Sequence, residues 1–193
     1  MAEPDAHLIE HLVSSETRLE GGYLTVRRDT VTLPDGQLTT REFVVHPGAV
    51  AVVPILDDGR LVMVRQYRYP VGKVLVEFPA GKIDPGEAPH TCAVRELAEE
   101  TGYCAREWAR AGVFHNAAAY STEGIEIWFA RGLTAGAQAL DIGEFVEVCA
   151  LSEAELDILA RSGGLPDMKT MIGLQWLQRH RAGLWALDWR TAA

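Results

Sequence analysis

The sequence predicts a mixed α/β (α+β) chain, and three observations carry that prediction. Its first half alternates short β-rich runs with turns marked by glycine and proline. A single helical stripe then runs up to a glycine. After two further strand-like runs, the C-terminal part changes to helical spacing. No repeat, linker or low-complexity block divides the 193 residues, a length that suits one core with room for an extension.

The N-terminal MAEPDAHLIEHL is acidic and has no secretory apolar core. His7 and His11 stand at the i, i+4 spacing of a helical metal pair, but without a third ligand nearby they read as a surface helix or mobile terminus. Leu24–Leu33 and Gln37–His46 flank Pro34-Asp35-Gly36, a hairpin signal. Ala49–Leu56 and Leu61–Tyr67 flank Asp57-Asp58-Gly59-Arg60, which repeats the device. Val74–Phe78 is a further short strand whose apolar character predicts burial on both faces. Pro85-Gly86 turns the chain and Pro89 suits a first helical turn. Ala93, Val94, Leu97 and Thr101 then form the core stripe, and Gly102 caps it. Ile125–Arg131 and Phe145–Leu151 read as strands, Ser152 with Glu155 as a capping box, and the run after Pro166 as a helix.

Charge and cysteine usage narrow the function. Eighteen Lys+Arg against 27 Asp+Glu leave a net charge of −9. That excludes a general binder of nucleic-acid backbone, which needs a basic face. A small phosphorylated ligand held by a few arginines or a cation is still allowed. No apolar run is long enough to span a membrane. Cys92, Cys104 and Cys149 are sparse, odd in number and without a CxxC pair, which predicts reduced thiols in a cytoplasmic protein.

The segment Arg95-Glu96-Leu97-Ala98-Glu99-Glu100 poses the central question. Glu96 lies three and four residues from Glu99 and Glu100, where like charges on a helix repel. The acid also crowds the C-terminal turn, where the helix dipole disfavours it. Acidic runs on helices are ordinarily solvated faces. A hard divalent cation such as Mg²⁺ or Mn²⁺ gives the crowding a purpose, since it takes carboxylate oxygens together with substrate phosphates. Glu96 and Glu100, one turn apart, then share one ion, Glu99 reaches a second ion or a water, and Arg95 braces Glu87.

The surrounding spacing resembles the Nudix hydrolase family. Its box, G-x5-E-x7-R-E-U-x-E-E-x-G-U with U aliphatic, is met by Gly81, Glu87, Arg95, Glu96, Leu97, Glu99, Glu100 and Gly102, with Tyr103 as an aromatic departure. The resemblance implies a Nudix-type α/β/α sandwich with a mixed sheet and an N-terminal antiparallel strand extension. It also implies a metal set of Glu96, Glu99, Glu100 and the Ala80 carbonyl, and hydrolysis of a nucleoside diphosphate linked to another group.

From Tyr23 to Leu177 the chain is similar to the ADP-ribose pyrophosphatase subfamily, in segments such as VRQYRYPVGKVLVEFPAGKID and GLQWL. This implies a homodimer in which the strands of residues 1–48 exchange between protomers beside a hydrolase domain of 49–193. It further implies that Arg41 and Arg68 contact phosphate or terminal ribose. Tyr23, from the partner protomer, would stack on adenine. The alternatives are an exposed strand charge for Arg41 and a hairpin core residue for Tyr23. The subfamily's base is a glutamate on a loop after the box. Here Glu144 and Glu147 compete, and Glu144, following Gly143, is the better loop residue. Ala118 stands where many members carry proline, so GDP-mannose or another sugar nucleotide rivals ADP-ribose. A non-catalytic nucleotide sensor is the rival of another class, and an enzyme for dinucleoside polyphosphates or capped RNA fits the box but not the flanking segments.

Overall fold

The computed structural model describes residues 5–191. They form two compact units, residues 5–47 with 115–123, and residues 48–114 with 124–191.

In the first unit, β1 (His11–Glu20), β2 (Thr25–Thr32) and β3 (Leu38–Val45) make an antiparallel sheet in that order. The β2–β3 hairpin is the one that Pro34-Asp35-Gly36 predicts, with Thr25 opposite Val45 and Thr32 opposite Leu38. β1 corrects the reading of the terminus. His7 lies in a 3-10 turn while His11 opens a strand, so the two histidines share no helix. The segment 115–123 is pinned to β3: Val44 N–H donates to the Tyr120 carbonyl and Thr122 N–H to the Val44 carbonyl, both at 2.9 Å. Ala118 therefore sits in a loop fastened at its far end.

The second unit is built on an eight-stranded mixed sheet. Its strands are β4 (Ala49–Ile55), β5 (Leu61–Arg68), β6 (Lys73–Glu77), β7 (Ala80–Lys82), β8 (Tyr103–Phe114), β9 (Ile125–Ala135), β10 (Val146–Leu151) and β11 (Arg190–Thr191). The main path runs β10-β5-β4-β9-β8-β11, with β6 on β5 and β7 on β4. β4 runs parallel to β9, and the other pairs are antiparallel. Successive side chains of a strand point to opposite faces, and β4 shows the result. Val50 and Val52 pack with Cys92, Ala93 and Leu97 of helix α1 (Pro89–Thr101). Ala51 and Val53 pack with Leu156 of α2 (Glu153–Arg161) and with Leu174 and Leu177 of α3 (Met168–Arg181). This unit is thus an α/β/α sandwich.

Local chemistry explains the helix ends. Pro89 occupies the first turn of α1, and Gly102 closes it with φ of 74°, a left-handed conformation that favours glycine. α2 opens on the predicted capping box, in which the Glu155 carboxylate accepts from Ser152 N–H at 2.8 Å.

Two packing expectations need correction. Val94 is exposed, and Cys92 takes its place in the core of α1, because the buried face of the helix is rotated by one position. β6 is half exposed rather than buried on both faces; it pairs along β5, leaving Lys73 and Val74 in solvent. Of the second unit's strands, β7, β8 and β11 carried no sequence expectation.

Candidate active site

The site grows from the corner where β7 meets α1. Gly81 is required by close approach: a Cβ there would lie 1.8 Å from Glu96 Oε1. The glycine of the box is therefore the floor on which a carboxylate rests. Next to it, Val52 N–H donates to the Pro79 carbonyl at 2.8 Å. This makes Ala51 and Ala80 a non-hydrogen-bonded pair of the ladder. The N–H and carbonyl of Ala80 consequently point away from β4. Its N–H donates to Glu100 Oε2 at 2.9 Å, and its carbonyl is directed to the same side.

Glu100 is 2% exposed. Burial pushes its carboxyl up to about 8; the Ala80 N–H works against that rise, while Glu96 and Glu144 add to it by repulsion. Glu96 is likewise raised, chiefly by burial, with Arg95 opposing and Glu99 and Glu144 reinforcing. Two carboxylates one turn apart are thus both destabilised as anions. Glu144 is close enough to be felt by both. It lies in the turn Asp141–Glu144, where its own N–H donates to the Asp141 carbonyl at 3.0 Å. Glu147, the rival base, is exposed and paired with Arg65 at 2.7 Å.

Arg95 organises the outer part of the cluster. Its guanidinium donates to both oxygens of Glu87 at 2.9 Å, to Glu96 at 2.8 Å and to Glu99 at 3.0 Å. The predicted brace to Glu87 is present, and it ties the loop before α1 to the helix. Arg95 holds the Glu87 carboxyl down at about 2. Glu96 and Glu99 both turn toward Arg95, and among the described residues no group of three or more His, Cys, Asp or Glu side chains is placed to hold a metal ion. The donor chemistry nonetheless suits a hard cation: the groups are all oxygens, and the mutual repulsion around Glu100 is what a divalent ion would offset.

Arg68, on β5, donates through Nε and Nη2 to the two oxygens of Glu77, each at 2.8 Å. Glu77 is 1% exposed. Burial opposes its charge, yet Arg68 and Lys169 together hold its carboxyl below the usual range. Nothing in the sequence pattern singled out Glu77, Asp167, Lys169 or Thr170. The one available signal was a glutamate inside the otherwise apolar VLVEF run.

Tyr23 and Arg41 belong to the first unit. Tyr23 is exposed, which removes the hairpin-core alternative, and its ring lies edge-on to His46 with centroids 6.3 Å apart. Arg41 is exposed and engages both oxygens of Glu10, through Nε at 3.0 Å and through Nη2. His46 faces Glu123 at 3.7 Å.

The NUDIX domain model matches residues 45–172. A model described as the nucleoside diphosphate sugar hydrolase N-terminal domain matches residues 10–44. The chain is 36% identical over 177 residues to an ADP-ribose pyrophosphatase of Bacillus subtilis (strain 168), covering 91% of this chain and 96% of that one. It is 39% identical over 175 residues to a methanol dehydrogenase activator of Bacillus methanolicus, covering 90% and 95%. In fold it resembles a crystal structure of an ADP compounds hydrolase, with a TM-score of 0.80, 24% identity and coverage of 90% and 95%.

Proposed function

This chain belongs to the Nudix hydrolase family, and from that premise we propose that it cuts the pyrophosphate bond of a nucleoside diphosphate sugar, converting ADP-ribose to AMP and ribose 5-phosphate. One observation carries the proposal. Glu96 rests on Gly81 and Glu100 takes the Ala80 N–H, so two carboxylates disfavoured as anions share one short strand. Such an arrangement is explained by a cation and a phosphate ligand.

Mg²⁺, with Mn²⁺ as the alternative, is assigned to Glu96, Glu99, Glu100 and the Ala80 carbonyl, where it would neutralise charge on the pyrophosphate oxygens. Glu144 serves as the base: it takes a proton from a water that attacks one phosphorus, and the bridging P–O bond breaks toward the other phosphate. Arg68 holds phosphate. Arg41 contacts phosphate or terminal ribose, and Tyr23 of the partner protomer stacks on the adenine. The protein acts as a homodimer with exchanged N-terminal strands, for which the exposed Leu12, Val13 and Leu19 of β1 are the support. Three free cysteines favour the cytoplasm, and no helix among the described residues is long and apolar enough to cross a membrane.

The test is a product analysis on purified protein with Mg²⁺ and, separately, ADP-ribose, GDP-mannose and NADH. Release of AMP and ribose 5-phosphate is the expected result. Preference for GDP-mannose moves the substrate and keeps the chemistry. No turnover with either metal overturns the enzyme reading and favours a nucleotide sensor.

A further inference from the structure

Behind the acidic corner runs a chain of four alternating charges for which the proposed reaction has no role beyond Arg68. Glu77, at the end of β6, receives Arg68 on one side and the Lys169 ammonium on the other. Lys169 is buried and also donates to Asp167 at 2.9 Å. Asp167 caps α3, accepting Thr170 N–H at 2.9 Å and the Thr170 hydroxyl at 2.6 Å. The Thr170 hydroxyl oxygen in turn accepts Phe78 N–H at 2.9 Å. The first turn of α3 is thereby fastened to Glu77 and Phe78, the two residues just before Pro79 and Ala80.

The order of charges matters for Arg68. A buried carboxylate bonded through both oxygens to one guanidinium would absorb that guanidinium's charge. Here Glu77 has a second cation. The carboxylate opposite that cation, Asp167, is itself offset by the N-terminus of α3, where the helix dipole favours negative charge. Glu77 is neutralised from behind, and Arg68 keeps charge for another anion. It keeps donors as well: two of the five guanidinium N–H groups serve Glu77, and the side chain is 38% exposed.

We infer that Lys169 is a positioning residue for Arg68, neutralising Glu77 so that the Arg68 guanidinium is held in place and remains available to a phosphate of the substrate. The inference rests on the pyrophosphatase reading. It is tested with K169M, K169R and the double variant E77Q/K169M. Three quantities are read: kcat and KM for ADP-ribose with Mg²⁺, the Kd of ADP by calorimetry, and the melting temperature.

K169M should raise KM and the ADP Kd about tenfold, equivalent to about 1.4 kcal/mol, and lower kcat far less. K169R should restore both constants. The double variant should also return them toward wild type, because an uncharged amide in place of the Glu77 carboxylate no longer claims Arg68. A lowered melting temperature with unchanged KM and Kd overturns the inference, as does a double variant no better than K169M. If K169M does not fold, D167N takes its place. It keeps the cap on α3 but frees Lys169 for Glu77, so ADP should bind about twofold tighter; equal or weaker binding overturns the inference. Wild-type protein that binds ADP without cleaving ADP-ribose overturns the pyrophosphatase reading alone, and the ADP constants then decide this one. Wild-type protein that does neither overturns both.

Discussion

Strand β4 of the sandwich buries six of its seven residues, whereas strand β1 of the three-stranded sheet exposes all ten. The contrast extends to the units that hold them. In the sandwich, two clusters of buried side chains grip β4 from both faces. In the sheet unit, Val31 alone among the described residues is buried, while Leu12, Val13, Leu19 and Leu38 are exposed. A packed core fixes rotamers, so the sandwich can hold carboxylates in place before any ligand arrives. The sheet lacks the apolar burial to do the same for Tyr23 or Arg41, and its exposed apolar side chains are the support for the proposed dimer. Substitutions among the carboxylates of the acidic corner should therefore strike turnover, and those in the sheet should strike assembly and substrate affinity.

The largest effect is expected at Glu100. E100Q keeps an acceptor for Ala80 N–H but loses the charge, and kcat should fall at least about 10³-fold. Stability should move the other way. A carboxyl raised from 4.5 to about 8 in the folded state weakens folding as pH rises through that window. In metal-free buffer at about pH 9, E100Q should thus melt no lower than wild type, and a lower melting temperature would show that Glu100 is structural.

Next comes G81A. The new Cβ would fall on the Glu96 carboxylate, the flexible end of a side chain, so the carboxylate must move while the backbone need not. Turnover should drop about 10²-fold, the penalty of misplacing a reacting geometry by about 1 Å. Melting should change little. A collapse in stability with turnover per folded molecule intact would break the account of Gly81 as a floor for Glu96.

How much of this could be read from sequence differs in the same way between the units. α1 was legible because its signals are local: Pro89 at one end, Gly102 at the other and a stripe between. The Arg95–Glu87 brace was legible because both ends lie in one motif. β1 was not, since HLVSSETRLE buries nothing and so carries no alternation tied to a core. β8 hides its period behind a register shift between Arg110 and Gly112. Glu77 and Lys169 meet across 92 residues, and no pattern within either segment announces the other. Long-range ion pairs are a property of the fold, and they surround Arg68, whose candidacy came from family resemblance alone.

The sheet side of the contrast is sharpened by two changes. A double variant L12D/L38D places charge on the exposed apolar positions and should convert the proposed dimer to monomer in sedimentation velocity, with the sandwich still folded by circular dichroism; wild-type protein that already sediments as a monomer would overturn the dimer. Y23A should leave melting unchanged, since the side chain is exposed, and raise KM for ADP-ribose by about tenfold with kcat retained, the loss expected of one stacked base. A kcat loss in Y23A with KM unchanged would place Tyr23 in the chemistry and end the division of labour.

The smallest effect compares one ion pair from each unit. In the sandwich, Arg95 holds the Glu87 carboxyl down from 4.5 to about 2. A carboxyl lowered in the folded state contributes stability above its unfolded value and loses it as pH falls through its folded value. E87Q should therefore melt lower than wild type near neutral pH by about 2–4 °C, and the gap should close as pH is taken from 4.5 toward about 2. On β1, Glu16 and Arg18 are paired at 2.6 Å with both side chains more than half exposed. E16Q should produce no measurable shift at any pH, because exposed pairs are screened by water and salt. If E16Q destabilises as much as E87Q, then β1 is held within its own protomer more firmly than its exposure implies, and the case for a sheet completed by a second copy weakens.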